Sequence, residues 1–198
     1  MNYLFIGAHT DDIELSCGGW IQQLLKAKHQ VRCYTASYLN SVDLLQEHMD
    51  SMDKLGVTNY TVSIFKNRTI SYYRQDLLNE LINYREAYEP DVVVTHHPND
   101  IHQDHAAVSK ETMRAFKNSS IIYYIAPWNG QPEPNYWVTL SSNEVEKKID
   151  ALKCYESQNH RFYMQPATIR HNTSTGRWPD FIYCESFTIA QLFCGFSH

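Results

Sequence analysis

Along this chain, apolar runs of strand length alternate with segments whose apolar residues recur at helical spacing. That order favours a parallel sheet covered by helices on both faces. Residues 3–8 read as a first strand. The stretch that follows, to about Lys28, carries Ile13, Trp20, Ile21, Leu24 and Leu25 and reads as a helix broken, or closely packed against the first strand, at Gly18-Gly19. A second strand is predicted over 31–36. A helix over 42–55 would place Leu45, Met49, Met52 and Leu55 on one face and stop at Gly56, which can take positive φ. A third strand follows over 60–65. Residues 73–88 repeat the helical spacing with Leu77, Leu78, Leu81 and Ile82, and Pro90 forbids continuation. Residues 91–95, Asp-Val-Val-Val-Thr, read as a buried fourth strand.

Beyond this point the pattern loosens. Residues 121–125 read as a strand, but Pro127, Pro132 and Pro134 make the next segment a loop. A helix over 141–155 is opened by the capping pair Ser141 and Glu144. The polar stretch 166–180 reads as a loop over one end of the domain, before a last strand at about 182–189. With neither internal repeat nor low-complexity linker, residues 1–198 are expected to form one α/β domain.

Composition narrows the class. Hydrophobic residues make up 43% and charged residues 20% of 198, a globular balance that excludes disorder. A net charge of −5 argues against nonspecific nucleic-acid binding, which needs a basic face. The five cysteines, at 17, 33, 154, 184 and 194, form no CxxC pair and point to a reducing, cytoplasmic setting. The start, Met1 to Gly7, lacks a basic lead and is only as long as one strand, so neither a signal peptide nor a membrane span is expected.

Two clusters each follow a predicted strand. One is Ala8-His9-Thr10-Asp11-Asp12-Ile13-Glu14; the other is His96-His97-Pro98-Asn99-Asp100-Ile101-His102-Gln103-Asp104-His105. Ligands of open α/β sheets bind outside the carboxyl ends of the strands, so both clusters would lie at one edge. Imidazoles and carboxylates without cysteine suit a hard or borderline divalent metal. His9 and Asp12, three apart on a turn into a helix, can aim at one point, and one histidine of His102-Gln103-Asp104-His105 could complete the set. Asp11 would then be left as a base for a water. Against this stands a plainer use of Asp11 or Asp12 as a helix cap.

The first cluster, followed by Cys17-Gly18-Gly19, resembles the Ala-His-Pro-Asp-Asp-Glu signature of the LmbE/PIG-L-like N-deacetylases. Asn99-Asp100-Ile101-His102-Gln103-Asp104-His105 resembles that family's Asn-Asp-x-His-x-Asp-His signature. Further matches are 55–57, 90–93, 151–158 and 183–187. The resemblance implies a Rossmann-like three-layer fold with a mostly parallel sheet and a Zn²⁺-dependent amidohydrolase, with Fe²⁺ as the alternative metal. Its substrate would be a small N-acetylglucosamine-type sugar or glycoconjugate. By position, His9, Asp12 and His105 would hold the metal, Asp11 would be the base, and His102, oriented by Asp104, would polarise the carbonyl or protonate the amine. Glu14 is the stand-in base. A homo-oligomer is compatible with the sequence.

Departures from the family pattern fall on the substrate side. Thr10 replaces a Pro; Leu44 stands where many members carry Arg in an Arg-x-x-Glu pattern ending at Glu47; Asn67-Arg68 replaces Asp-Gly; and Thr175-Gly176 replaces Arg-Gly. Arg68, after the third strand, is the candidate for gripping an anionic or hydroxyl-rich part of the substrate. Trp128, with Trp137 and Trp178, is the candidate for a sugar-stacking wall. The 67–74 and 127–129 stretches look more like members associated with bacterial surface-polysaccharide synthesis. Two other readings share these residues: a non-haem Fe(II) oxygenase using the same His/Asp/His set, and a noncatalytic sugar-binding relative.

Overall fold

Successive side chains of a strand point to opposite faces, and β1 (Asn2–His9) uses that alternation to feed two cores. Phe5 joins one apolar cluster; Leu4, Ile6 and Ala8 join the other. The computed structural model describes residues 1–38, 41–126, 133–173 and 182–193. The chain runs on through α1 (Asp12–Lys26), β2 (Gln30–Ser37), α2 (Val42–Leu55), β3 (Tyr60–Val62), α3 (Arg74–Tyr88) and β4 (Val92–His96). It continues through α4 (Gln103–Ala115), β5 (Ser120–Tyr124), β6 (Tyr136–Leu140), α5 (Ser142–Leu152), α6 (Pro166–Asn172) and β7 (Tyr183–Gln191).

The sheet has seven strands in the order β3-β2-β1-β4-β5-β7-β6. The first five in that order are parallel, and β7 runs antiparallel to both β5 and β6. One face is covered by α1, α2 and α5, which contribute Trp20, Met52 and Ile149 to its core. The other is covered by α3 and α4, with Leu77, Leu81 and Val108. This is the expected three-layer, mostly parallel α/β domain. From β1 the chain builds outward through β2 and β3, then returns to lay β4 against the other side of β1. That reversal is the topological switch point, where such sheets leave a crevice at the strand ends.

The structure departs from several sequence expectations. Helix α2 has the expected bounds, and its C-cap Gly56 sits at φ +82. Its buried face, however, is Leu44, His48, Ser51, Met52 and Leu55, while Met49 is exposed and Leu45 only half-buried. Two polar side chains face inward there, so apolar spacing alone placed the face one residue off. The expected loop 166–180 begins as α6, with Pro166 in its first turn, where a missing N–H costs nothing. The edge strand β6 lies just after the proline-rich segment and had no predicted counterpart. Gly18-Gly19 does mark close packing, but not on β1: a Cβ on Gly19 would collide with Leu140 of β6, and one on Gly18 would press on Lys148 of α5. The Ser141/Glu144 capping box forms as read, although α5 ends at Leu152 rather than near 155.

Candidate active site

Parallel pairing of Tyr3 with Val92 through Phe5 with Val94 brings the C-terminal ends of β1 and β4 side by side. His9 therefore ends one strand and His96 its neighbour, and the two sequence clusters meet. At their junction four donor atoms of three residues converge. His9 Nδ1 lies 3.6 Å from Asp12 Oδ2, His105 Nε2 lies 3.5 Å from Asp12 Oδ1, and the two imidazole atoms are 3.3 Å apart. Tetrahedral donors about 2.0–2.1 Å from a shared ion are about 3.4 Å from one another. The two imidazole atoms have that spacing, and each Asp12 oxygen has it toward one of the two imidazoles.

Both histidines are held from behind. His9 Nε2 meets Asp104 Oδ2 at 3.0 Å, and His105 Nδ1 meets Asp100 Oδ2 at 2.9 Å. A carboxylate on the far ring nitrogen fixes the tautomer and leaves the near nitrogen's lone pair for a metal. Asp12 is held by the His9 backbone N–H, which donates to Oδ2 at 2.7 Å. Burial pushes Asp12 toward protonation, but His105, then His96 and His9, outweigh it and hold the carboxyl well below its usual range. Asp100 and Asp104 are lowered in the same way against their own burial, mainly by their histidine partners.

Two overlapping trios have ligand atoms within 4.8 Å of one another: His9, His102 and His105, and Asp12, His96 and His105. In the second, His96 Nε2 already accepts the Ala8 N–H at 2.9 Å. Burial, then the nearby His105, pulls His96 down to about 4. In the first, His102 Nδ1 accepts the Asp104 backbone N–H at 3.2 Å as the N-cap of α4. That bond places the proton on His102 Nε2, and burial with His105 and His9 beside it lowers the group's pKa.

Asp104 is therefore brought to His102 through its backbone only. Its carboxylate turns the other way, to His9 and to the amides of Arg68 (2.6 Å) and Ile70 (3.2 Å). Asp11 occupies the N-cap position of α1 at φ 85, with no side-chain cap bond among the described residues. A non-glycine residue with positive φ is uncommon and marks a constrained site. Burial, then the charges of Asp12 and Glu14, raise its carboxyl well above the usual range.

A cavity of about 410 Å³ opens over these groups. Asp11, Asp12, His9, His102 and His105 line it, and Arg68 stands at its wall with its own backbone at φ 65. The substrate-side departures Leu44 and Asn67 line it as well, while Thr175 and Trp128 lie outside the described residues. Trp137, of the proposed stacking wall, sits half-buried on β6. Arg161 and Tyr163 complete the wall from the turns after α5. No local pattern marks those two residues, because only packing brings them to the cavity. Asp100, by contrast, lay inside the second signature. Glu14 does not reach the cavity: it is fully buried, its Oε1 bonded by the Tyr155 hydroxyl at 2.5 Å, which removes it as a stand-in base.

Fold and site together define an α/β protein with a cluster of His and Asp side chains of a kind that suits a divalent ion at the switch point of a Rossmann-like sheet. The chain belongs to the PIG-L deacetylase family: residues 4–116 match the family described as "PIG-L: GlcNAc-PI de-N-acetylase". It is 27% identical over 172 residues to the uncharacterized deacetylase YaiS of Escherichia coli (strain K12), covering 78% of this chain and 90% of that one. Two solved structures share the fold. The zinc-inhibited form of teicoplanin deacetylase Orf2 superposes with a TM-score of 0.77 at 16% identity, covering 94% of this chain and 97% of that chain. The N,N'-diacetylchitobiose deacetylase of Pyrococcus horikoshii gives 0.73 at 20% identity, covering 95% and 83%. The parallel sheet also separates the protein from the β-barrel setting usual for Fe(II) oxygenases. No helix among the described residues is long and apolar enough to cross a membrane.

Proposed function

We propose that this protein is a zinc-dependent N-deacetylase that removes the acetyl group from an N-acetylglucosamine-type sugar or its conjugate. The observation that carries the reading is the cluster of His9 Nδ1 and His105 Nε2, 3.3 Å apart, with one Asp12 oxygen 3.6 Å from the first, the other 3.5 Å from the second, and a carboxylate behind each imidazole. The N-acetylated sugar is common to the family description and to the named chitobiose deacetylase.

An ion at this cluster supplies positive charge for the developing oxyanion and lowers the pKa of a nearby water toward 7. The chain supplies the rest. Asp11, with its raised carboxyl pKa, takes the proton of the attacking water and, once protonated, holds it ready for the departing amine. His102, neutral and carrying its proton on Nε2, donates a hydrogen bond to the acetyl oxygen as charge develops there. A donor already in place needs no reorganisation during reaction. Arg68 and Arg161, both lining the cavity, offer donor forks to hydroxyl, carboxylate or phosphate groups on the remainder of the substrate.

The test is acetate release from a panel of N-acetyl sugars and sugar phosphates by protein stripped of metal and reloaded with Zn²⁺. Turnover is expected in the wild type, with roughly 10²–10⁴-fold lower kcat at unchanged metal content in Asp11→Asn and His102→Ala. Loss of stoichiometric metal is expected in His105→Ala. Full metal content in that variant, or near-normal turnover in Asp11→Asn, would overturn the assignment.

A further inference from the structure

The matching segment 151–158 has no role in the chemistry above, yet it delivers a side chain to the underside of the site. Tyr155, just after α5, is buried together with Glu14 of α1 and His48 of α2. Its O–H donates to Glu14 Oε1 at 2.5 Å. Its oxygen accepts from His48 Nδ1–H at 2.7 Å and from the Asp11 backbone N–H at 3.0 Å. The Thr35 hydroxyl faces His48 Nε2 at 3.4 Å, so the Nδ1–H tautomer satisfies both ring nitrogens. A phenol has one proton and two lone pairs, and all three are used here.

We infer that Tyr155 is a positioning residue for Asp11: by accepting the Asp11 amide it holds that residue in its left-handed turn and so keeps its carboxylate at the ligand cluster. Asp11 has φ 85 and no side-chain cap bond among the described residues, so the turn is not held by the aspartate itself. Its amide lies at a helix N-terminus, where backbone donors lack partners within the helix. Glu14 accepts the hydroxyl's hydrogen bond, which leaves the phenol's lone pairs to His48 and to Asp11. Glu14 and Asp11 are three residues apart at one helix start. Tyr155, 144 residues further on than Asp11, closes the clamp.

The kinetic side of this inference rests on Asp11 being the base; the structural side does not. The experiment is Tyr155→Phe in the zinc-loaded protein. Metal stoichiometry and KM are expected to hold, and kcat is expected to fall about 10–100-fold, the scale of a misplaced reacting group. Added to Asp11→Asn, the substitution should cost nothing further in kcat, since both changes act through one carboxylate. A purely structural role predicts additive losses, and that result would overturn the inference. A crystal structure of Tyr155→Phe should show Asp11 out of its left-handed turn; an unmoved Asp11 would also overturn it. Should Tyr155→Phe fail to fold, amide exchange on the wild type decides. The Asp11 N–H is expected to be protected, and exchange at the rate of an unstructured amide refutes the clamp. A wild type that is folded and zinc-loaded but releases no acetate would refute the deacetylase reading, while the exchange and crystallographic results would still decide the clamp.

Discussion

Replacing Asp104 by Asn keeps the side chain's shape and removes one of its two acceptor atoms at a point where three donors converge. Asp104 is fully buried and faces His9 Nε2 at 3.0 Å and the Arg68 amide at 2.6 Å with Oδ2, and the Ile70 amide at 3.2 Å with Oδ1. An Asn offers one acceptor oxygen and an NH₂ group. With its oxygen in the Oδ2 position, the Ile70 N–H faces the NH₂; flipped, both His9 and Arg68 face it. The escape open to His9 is to move its proton to Nδ1, the atom 3.3 Å from His105 Nε2, and that removes its lone pair from the ligand cluster. One buried donor left unsatisfied costs about 1–3 kcal/mol. Loss of such a carboxylate partner lowers metal affinity about 10–100-fold, or about 1.4–2.8 kcal/mol. Chelator competition would read the zinc affinity, and urea unfolding of the metal-stripped protein would read the stability separately. An affinity within twofold of wild type together with an unchanged unfolding midpoint would refute the reasoning. Intact zinc affinity with a large loss of kcat would instead show that the Asp104 carboxylate acts on His102.

Three further outcomes follow from the same geometry. Lys148→Met should cost about 3–5 kcal/mol in urea unfolding, because it strands the buried Glu185 carboxylate that Lys148 Nζ meets at 2.8 Å; a loss below about 1 kcal/mol would show that the Gly19 and Trp20 amides bonded to Glu185 suffice. His96, held down to about 4 from 6.5, is neutral in the fold and protonated in the unfolded chain between those two values, so the stability present above pH 6.5 is lost as pH falls from there through 4. His105, raised by Asp12 and Asp100 against its burial, works in the opposite sense. His96→Gln in metal-stripped protein should therefore flatten the acid side of the stability profile by up to about 3 kcal/mol, and an unaltered slope between pH 6.5 and 4 would refute the assignment. Arg68→Lys and Arg161→Lys should each raise KM for an anionic substrate about tenfold, the scale of one charge-assisted contact, with little change in kcat; unchanged KM in both would leave them as solvated surface residues.

Short-range pattern was enough to reveal the parallel strands and the helices between them, but neither β6 nor α6. Alternating apolar runs marked the parallel strands, and the two clusters at the ends of β1 and β4 had to share an edge once those strands were parallel. His9, Asp12, His102 and His105 were legible for that reason, as was the Ser141 cap, whose partner is three residues away. Pairings between distant residues were decided by the tertiary structure. The Asp104 carboxylate could have served His102, two residues back; the packing of α4 on β1 turned it to His9 instead, 95 positions away. The inward face of α2 was misplaced because His48 and Ser51 are buried, and the burial of His48 follows from its partner Tyr155, which hydropathy cannot register. Arg161 and Tyr163 reach the cavity from turns with no periodicity of their own. A periodic pattern records which face of an element leaves water, whereas the atom opposite a given side chain depends on how elements far apart in the chain pack together.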